Sequence, residues 1–169
     1  MSGLVRRERL QPSLLDRLTD LSPEARRESP DQQTLTMTQL RQAVLRDLGW
    51  LLNTTNLAAT EDIDGFPRAT ASTLNFGVPG FAGLSASGAR AATLEAAIAE
   101  AIRRFEPRIR PASLKVRARE GEHDDGVPRL VFEITGELWA QPVPQQLFLE
   151  TSIDLETRLA IVTEAKRRS

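Results

Sequence analysis

Leu114-Lys115-Val116-Arg117-Ala118-Arg119, Leu130-Val131-Phe132-Glu133-Ile134 and Leu147-Phe148-Leu149-Glu150-Thr151-Ser152-Ile153-Asp154-Leu155 decide the fold of this chain. In the first stretch Leu114, Val116 and Ala118 alternate with Lys115, Arg117 and Arg119, the period of a strand with one dry face and one wet face. Leu130, Phe132 and Ile134 repeat the alternation. Leu147, Leu149, Thr151, Ile153 and Leu155 share one face of a third strand. Gly121-Glu122-His123-Asp124-Asp125-Gly126 has the composition of a hairpin loop. Pro142-Val143-Pro144 crosses to the third strand, and Asp154-Leu155-Glu156-Thr157-Arg158 turns into a tail strand, Leu159-Ala160-Ile161-Val162. Gly136 predicts a bulge before Leu138. Strands joined this closely form an antiparallel meander.

Two helical patterns precede the strands. From Leu35 to Leu52, the residues Leu40, Val44, Leu48, Leu51 and Leu52 recur at helical spacing. Asn53-Thr54-Thr55-Asn56 ends the pattern with side chains that bond nearby backbone. Trp50 on this helix anchors either the core or an interface. From Ala91 to Phe105, the stripe is Leu94, Ile98, Ala101, Ile102 and Phe105, with alanines that allow close packing. Two helices on the dry face of the meander make a two-layer α+β domain, expected over residues 35–169.

Residues 1–34 are a polar, flexible arm with prolines at Pro12, Pro23 and Pro30, unable to build a packed core alone. Within it, Leu14, Leu15 and Leu18 fall on one side of a helical turn that follows Pro12. Leu14-Leu15-Asp16-Arg17-Leu18 is either a turn tucked onto the protein's own surface or a docking peptide for a partner. The stretch from Ala58 to Gly88 is a long connection, in which Ser72-Thr73-Leu74-Asn75-Phe76-Gly77 predicts a brief extended piece ending in a glycine turn. Asp62-Ile63-Asp64-Gly65 starts like a calcium loop, but the glycine offset and the missing distal glutamate are wrong for one.

The composition excludes several classes. The chain has 169 residues, 22 Lys and Arg against 23 Asp and Glu, and a net charge of -1. A nucleic-acid or membrane-surface protein is usually basic. Without cysteine there is no disulfide framework and no thiolate metal site, which suits a reducing compartment. No apolar run reaches the roughly 20 residues of a membrane span, and Met1-Ser2-Gly3-Leu4-Val5-Arg6-Arg7 lacks an apolar signal core. A cytoplasmic location is expected.

Phe105-Glu106-Pro107-Arg108 closes the second helical pattern. Glutamate in a last turn meets the negative end of the helix dipole, and Pro107 forbids continuation. The expectation is a stiff, charged corner kept for contacts, where an arginine–carboxylate fork supplies direction as well as charge. The competing reading is an internal Glu106–Arg108 pair that braces the helix end.

Five stretches in order resemble the TssE family of type VI secretion baseplate subunits. They are Leu14-Leu15-Asp16-Arg17-Leu18; Val44-Leu45-Arg46-Asp47-Leu48 with Leu51-Leu52-Asn53-Thr54; Ser72-Thr73-Leu74-Asn75-Phe76-Gly77; Phe105-Glu106-Pro107-Arg108; and Phe148-Leu149-Glu150-Thr151-Ser152-Ile153-Asp154-Leu155. The same family includes the sheath-initiating wedge proteins of contractile phage tails. The resemblance implies a structural, non-enzymatic subunit, cytoplasmic, in a baseplate assembled at the inner membrane. It implies a hetero-oligomeric wedge with TssF and TssG, a further contact with TssK, and a platform on which the TssB–TssC sheath starts. From the residues themselves, no cofactor and no metal are expected. The resemblance also implies that Glu106, Pro107 and Arg108 make the sheath contact, to which the exposed sheet edge adds unpaired backbone groups.

The rivals are a homologous baseplate protein of a phage tail or extracellular contractile particle, and a glycoside hydrolase, since relatives have carried a lysozyme label. Hydrolysis needs two carboxyls flanking a cleft. Glu61, Asp62, Asp64, Glu106 and Glu133 are available, but two tryptophans and no tyrosine leave little surface for stacking a sugar. A metal held by Glu122, His123, Asp124 and Asp125 competes with plain loop solvation.

Overall fold

The computed structural model describes residues 12–19, 24, 35–80, 88–119, 129–139, 144–154 and 156–165. Helix α1 is Leu14–Leu18, α2 Met37–Leu52, α3 Pro67–Thr70 and α4 Gly88–Phe105. Strands β1 Lys115–Arg119, β2 Arg129–Leu138, β3 Gln145–Asp154 and β4 Ala160–Glu164 form one antiparallel sheet in chain order. The expected α+β meander is the observed one. The hairpin loop at 121–126, with its candidate metal ligands, and Pro142, Val143 and Leu155 lie outside the described residues.

The register explains the core. Val116 stands opposite Ile134, Ile134 opposite Leu149, and Phe132 opposite Thr151, so every second residue of each strand faces the same side. That side is buried, and the α2 stripe of Leu40, Val44, Leu48, Leu51 and Leu52 meets the α4 stripe of Leu94, Ile98 and Ile102 upon it. Burial of each such aliphatic side chain contributes about 1.5–3 kcal/mol. Thr151 is the exception within the dry face, since its hydroxyl is buried with no hydrogen-bond partner among the described residues.

Local chemistry sets the helix boundaries. Thr36 Oγ1 accepts from the Gln39 amide at 3.2 Å and Gln39 Oε1 accepts from the Thr36 amide at 2.9 Å, a capping box that starts α2 at Met37 rather than Leu35. At the other end Asn53 Nδ2 donates to the Gly49 carbonyl at 2.7 Å. Helix α4 begins at Gly88, ahead of the apolar stripe.

Two expectations are corrected. Residues Thr73–Asn75 form a 310 turn instead of an extended piece. Ser72 Oγ accepts from the Leu74 amide at 3.2 Å, while buried Asn75 accepts from Ala58 N at 2.9 Å and donates to the Thr70 carbonyl. Short polar side chains that bond local backbone favour turns over strands. The glycine turn itself is present: Gly77 has φ +121, and a Cβ there would overlap the Thr54 carbonyl. Gly136 is not bulged either, because it pairs with Leu147 in unbroken register. The irregularity is on the other side of β2, where residues 111–114 loop out between the Arg110–Glu137 hydrogen bond and the Lys115–Thr135 pair. Gly136 lacks a side chain because Ile109 lies over it, 2.9 Å from where a Cβ would stand.

Candidate functional site

The chain leaves α4 at Phe105 and turns at once. Glu106 N still donates to the Ile102 carbonyl at 2.9 Å, so the glutamate caps the helix from just beyond its last residue. Its carboxylate does not suffer the helix dipole in the open. It is 2% exposed, and Arg108 grips it: Nε to Oε1 at 2.6 Å, Nη2 to Oε2 at 2.5 Å, and the Arg108 amide to Oε1 at 3.1 Å. The internal pair, the competing reading of the corner, is therefore present, while Pro107 is exposed and Arg108 half-buried. Beyond the pair the backbone joins the sheet. Trp139 N donates to the Arg108 carbonyl at 2.7 Å and Arg110 N to the Glu137 carbonyl at 2.9 Å.

Arg108 reaches a third residue. Its Nη2 also meets Asp47 Oδ2 of α2 at 2.5 Å. Arg46 Nε meets Asp47 Oδ1 at 2.8 Å, and Arg46 Nη1 meets Asp16 Oδ1 of α1 at 2.8 Å. Arg46 lies over the Trp50 ring, 5.1 Å from its centroid. Five charges thus run in alternating sign from α1 through α2 to the corner. Burial by itself would lower the Arg108 pKa, but the hydrogen bonds and charges of Glu106 and then Asp47 raise it above the ordinary arginine value. Arg46 is raised too, first by its hydrogen bond to Asp47. Arg108 Nη1 is buried without a partner among the described residues.

Ser13 opens α1 with a second capping box, its hydroxyl and amide both donating to Asp16. The expected leucine turn is there, and none of its residues is buried. Trp50 is not a core residue, being 51% exposed. Arg46 and Asp47 were visible in the sequence only as an adjacent pair of opposite charges on the polar face of α2. Nothing local says that Arg108, 61 residues later, completes the group.

The sheet has two edges and they differ. On β1, Glu95 of α4 accepts from the Ala118 amide at 2.6 Å, so that one edge amide is occupied, while the outward groups of Val116 have no backbone partner among the described residues. On β4, Asn53 takes both backbone groups of Ala160, accepting from its amide at 2.9 Å and donating to its carbonyl at 2.8 Å. Inter-strand bonds run from Asp154 N to the Leu159 carbonyl and from Ala165 N to the Phe148 carbonyl. Backbone groups alternate along a strand, so those of Val162 and Glu164, like those of Ala160, point away from β3. They have no backbone partner among the described residues.

The carboxylates weighed for hydrolysis do not converge. Glu106 is bound to Arg108, Glu133 meets Arg119 at 3.3 Å on the wet face, and Asp62 accepts from the Asp64 amide in a local turn. A cavity of about 410 Å³ between the end of α2, the Val78–Gly80 segment and Arg158 has no carboxylate in its lining, and one of about 560 Å³ over Gly136 has Glu137 alone. Among the described residues no group of three or more His, Cys, Asp or Glu could hold a metal, and no helix is long and apolar enough to cross a membrane.

A family model described as baseplate wedge protein gp25 matches residues 38–143, a span from α2 through β2 that includes the corner. No curated protein matches the chain.

Proposed function

The chain belongs to the baseplate wedge protein gp25 family, structural components of contractile-tail baseplates, and on that premise we propose that it serves a type VI secretion baseplate. In this reading it sits in the wedge with TssF and TssG, with TssK as a further contact, and offers the TssB–TssC sheath its starting edge. The observation that carries the reading is the open stretch of β4. A strand added there would meet the outward amides and carbonyls of Val162 and Glu164, as in strand addition generally. The clamp of Asn53 on Ala160 closes the ladder at one end and so limits the register. Glu106, Pro107 and Arg108 form the second half of the platform. The buried pair holds Pro107 and the Arg108 backbone at a fixed angle beside β2.

Val162→Pro tests the reading. Its amide points outward, so proline removes a donor from the edge and none from the β3–β4 ladder. The expected result is a folded subunit that enters the wedge but no longer starts sheath polymerisation. Normal sheath growth from the folded variant overturns the edge role.

A further inference from the structure

Helix α1 stands on the domain with its polar side down. An amphipathic helix that docks for its own stability turns its apolar face inward. Here Pro12, Ser13 and Asp16 are the half-buried residues, while Leu14, Leu15 and Leu18 are 72%, 44% and 74% exposed. The described tether is polar, the 2.8 Å ion pair from Asp16 to Arg46. The same Arg46 covers one face of exposed Trp50, so the leucine turn and the tryptophan are held around one guanidinium. A turn this short is not stable alone in water. Its orientation is imposed by the cluster, and the imposed orientation is outward.

The unpaired charge beside this apolar surface is positive. The most exposed member of the cluster is a cation: the Arg46 side chain keeps 35% of its surface, against 12% for Asp16, 23% for Asp47 and 2% for Glu106. Arg17, on the turn itself, is exposed and has no ion-pair partner among the described residues. We infer that Leu14, Leu15, Leu18 and Trp50 form one docking surface for an apolar helical segment of another chain, flanked by a carboxylate that meets Arg17. The inference rests on the baseplate reading only in that a baseplate supplies the other chain. It does not involve the β4 edge.

The test replaces Leu18 with a photo-crosslinking phenylalanine in the full-length protein, in cells that assemble the complete particle. The expected cross-link joins Leu18 to a segment of a different polypeptide that has apolar residues at helical spacing with Asp or Glu beside them. Charge reversal at a rim facing carboxylates is costly. Arg17→Glu is therefore expected to cut the yield about tenfold and Arg17→Lys to restore it, with the melting temperature unchanged in both. Cross-links to the protein's own domain, to a second copy, or to a segment without carboxylates overturn the inference, as does a yield indifferent to Arg17→Glu. A normal Leu18 cross-link alongside a Val162→Pro variant that still starts sheaths would refute the edge role and leave this surface standing.

Discussion

Each edge of the sheet is held by one side chain, Glu95 at the Ala118 amide of β1 and Asn53 at both backbone groups of Ala160 of β4, and what continues beyond that hold differs. Along β1, Glu95 takes the Ala118 amide, and beyond β1 the corner residues Arg108 and Arg110 carry the edge on beside the end of β2. Along β4, Asn53 finishes Ala160 and leaves Val162 and Glu164 without backbone partners among the described residues. Edges left open are a hazard that proteins usually cover. The comparison teaches that the Glu106-Pro107-Arg108 corner belongs first to the protein's own architecture, and that β4 leaves open backbone at Val162 and Glu164.

The comparison breaks most sharply at Arg108. Removing the arginine strands a buried carboxylate, so Arg108→Ala is expected to lower stability by about 3–5 kcal/mol, measured by urea unfolding. A loss under about 1 kcal/mol would mean that the corner is a surface feature after all. On the same side, Glu95→Ala removes a charged acceptor from the Ala118 amide. It is expected to cost about 2 kcal/mol and to raise self-association in sedimentation, because the open stretch of the β1 edge is then longer. On the other side, Val162→Pro is expected to cost about 1–2 kcal/mol, from the half-buried Val162 side chain that packs on the core; a loss as large as that of Arg108→Ala would show that its amide already has a partner. The smallest effect is that of pH on α1. Burial alone would raise the Asp16 pKa, but hydrogen bonds from Ser13 and Arg46 hold it below its ordinary 3.8. A lowered folded-state value means that the tether is fully in place above 3.8 and lost as pH falls through the folded value. Trp50 fluorescence, read in a Trp139→Phe background, should be flat near neutrality and change only in acid.

The layers of the fold were legible because their signals are local. Val116, Phe132, Ile134, Leu147, Leu149 and Ile153 declare their faces by alternation, and Leu40, Val44, Leu48, Leu94, Ile98 and Ile102 by helical spacing. The contacts that make the site are long-range, and no local pattern encodes them. Glu95 meets Ala118 across 23 residues, Asn53 meets Ala160 across 107, and Asp47 meets Arg108 across 61. Glu106 shows the consequence. Its position after an apolar stripe announces a helix end, but whether its charge is exposed or buried depends on where Arg108 and α2 come to lie. Gly136 is similar, since a glycine marks either a bulge or a close approach, and only the position of Ile109 decides between them.

Amide hydrogen exchange, residue by residue, tests the unequal edges most directly, in the free protein and in the assembled baseplate with its sheath started. The account predicts that Ala118 is protected in both states, whereas Val162 and Glu164 exchange fast in the free protein and slowly once the sheath has begun. Protection of Val162 and Glu164 before assembly, or fast exchange there after it, would contradict the claim that β4 is the edge on which the tube starts.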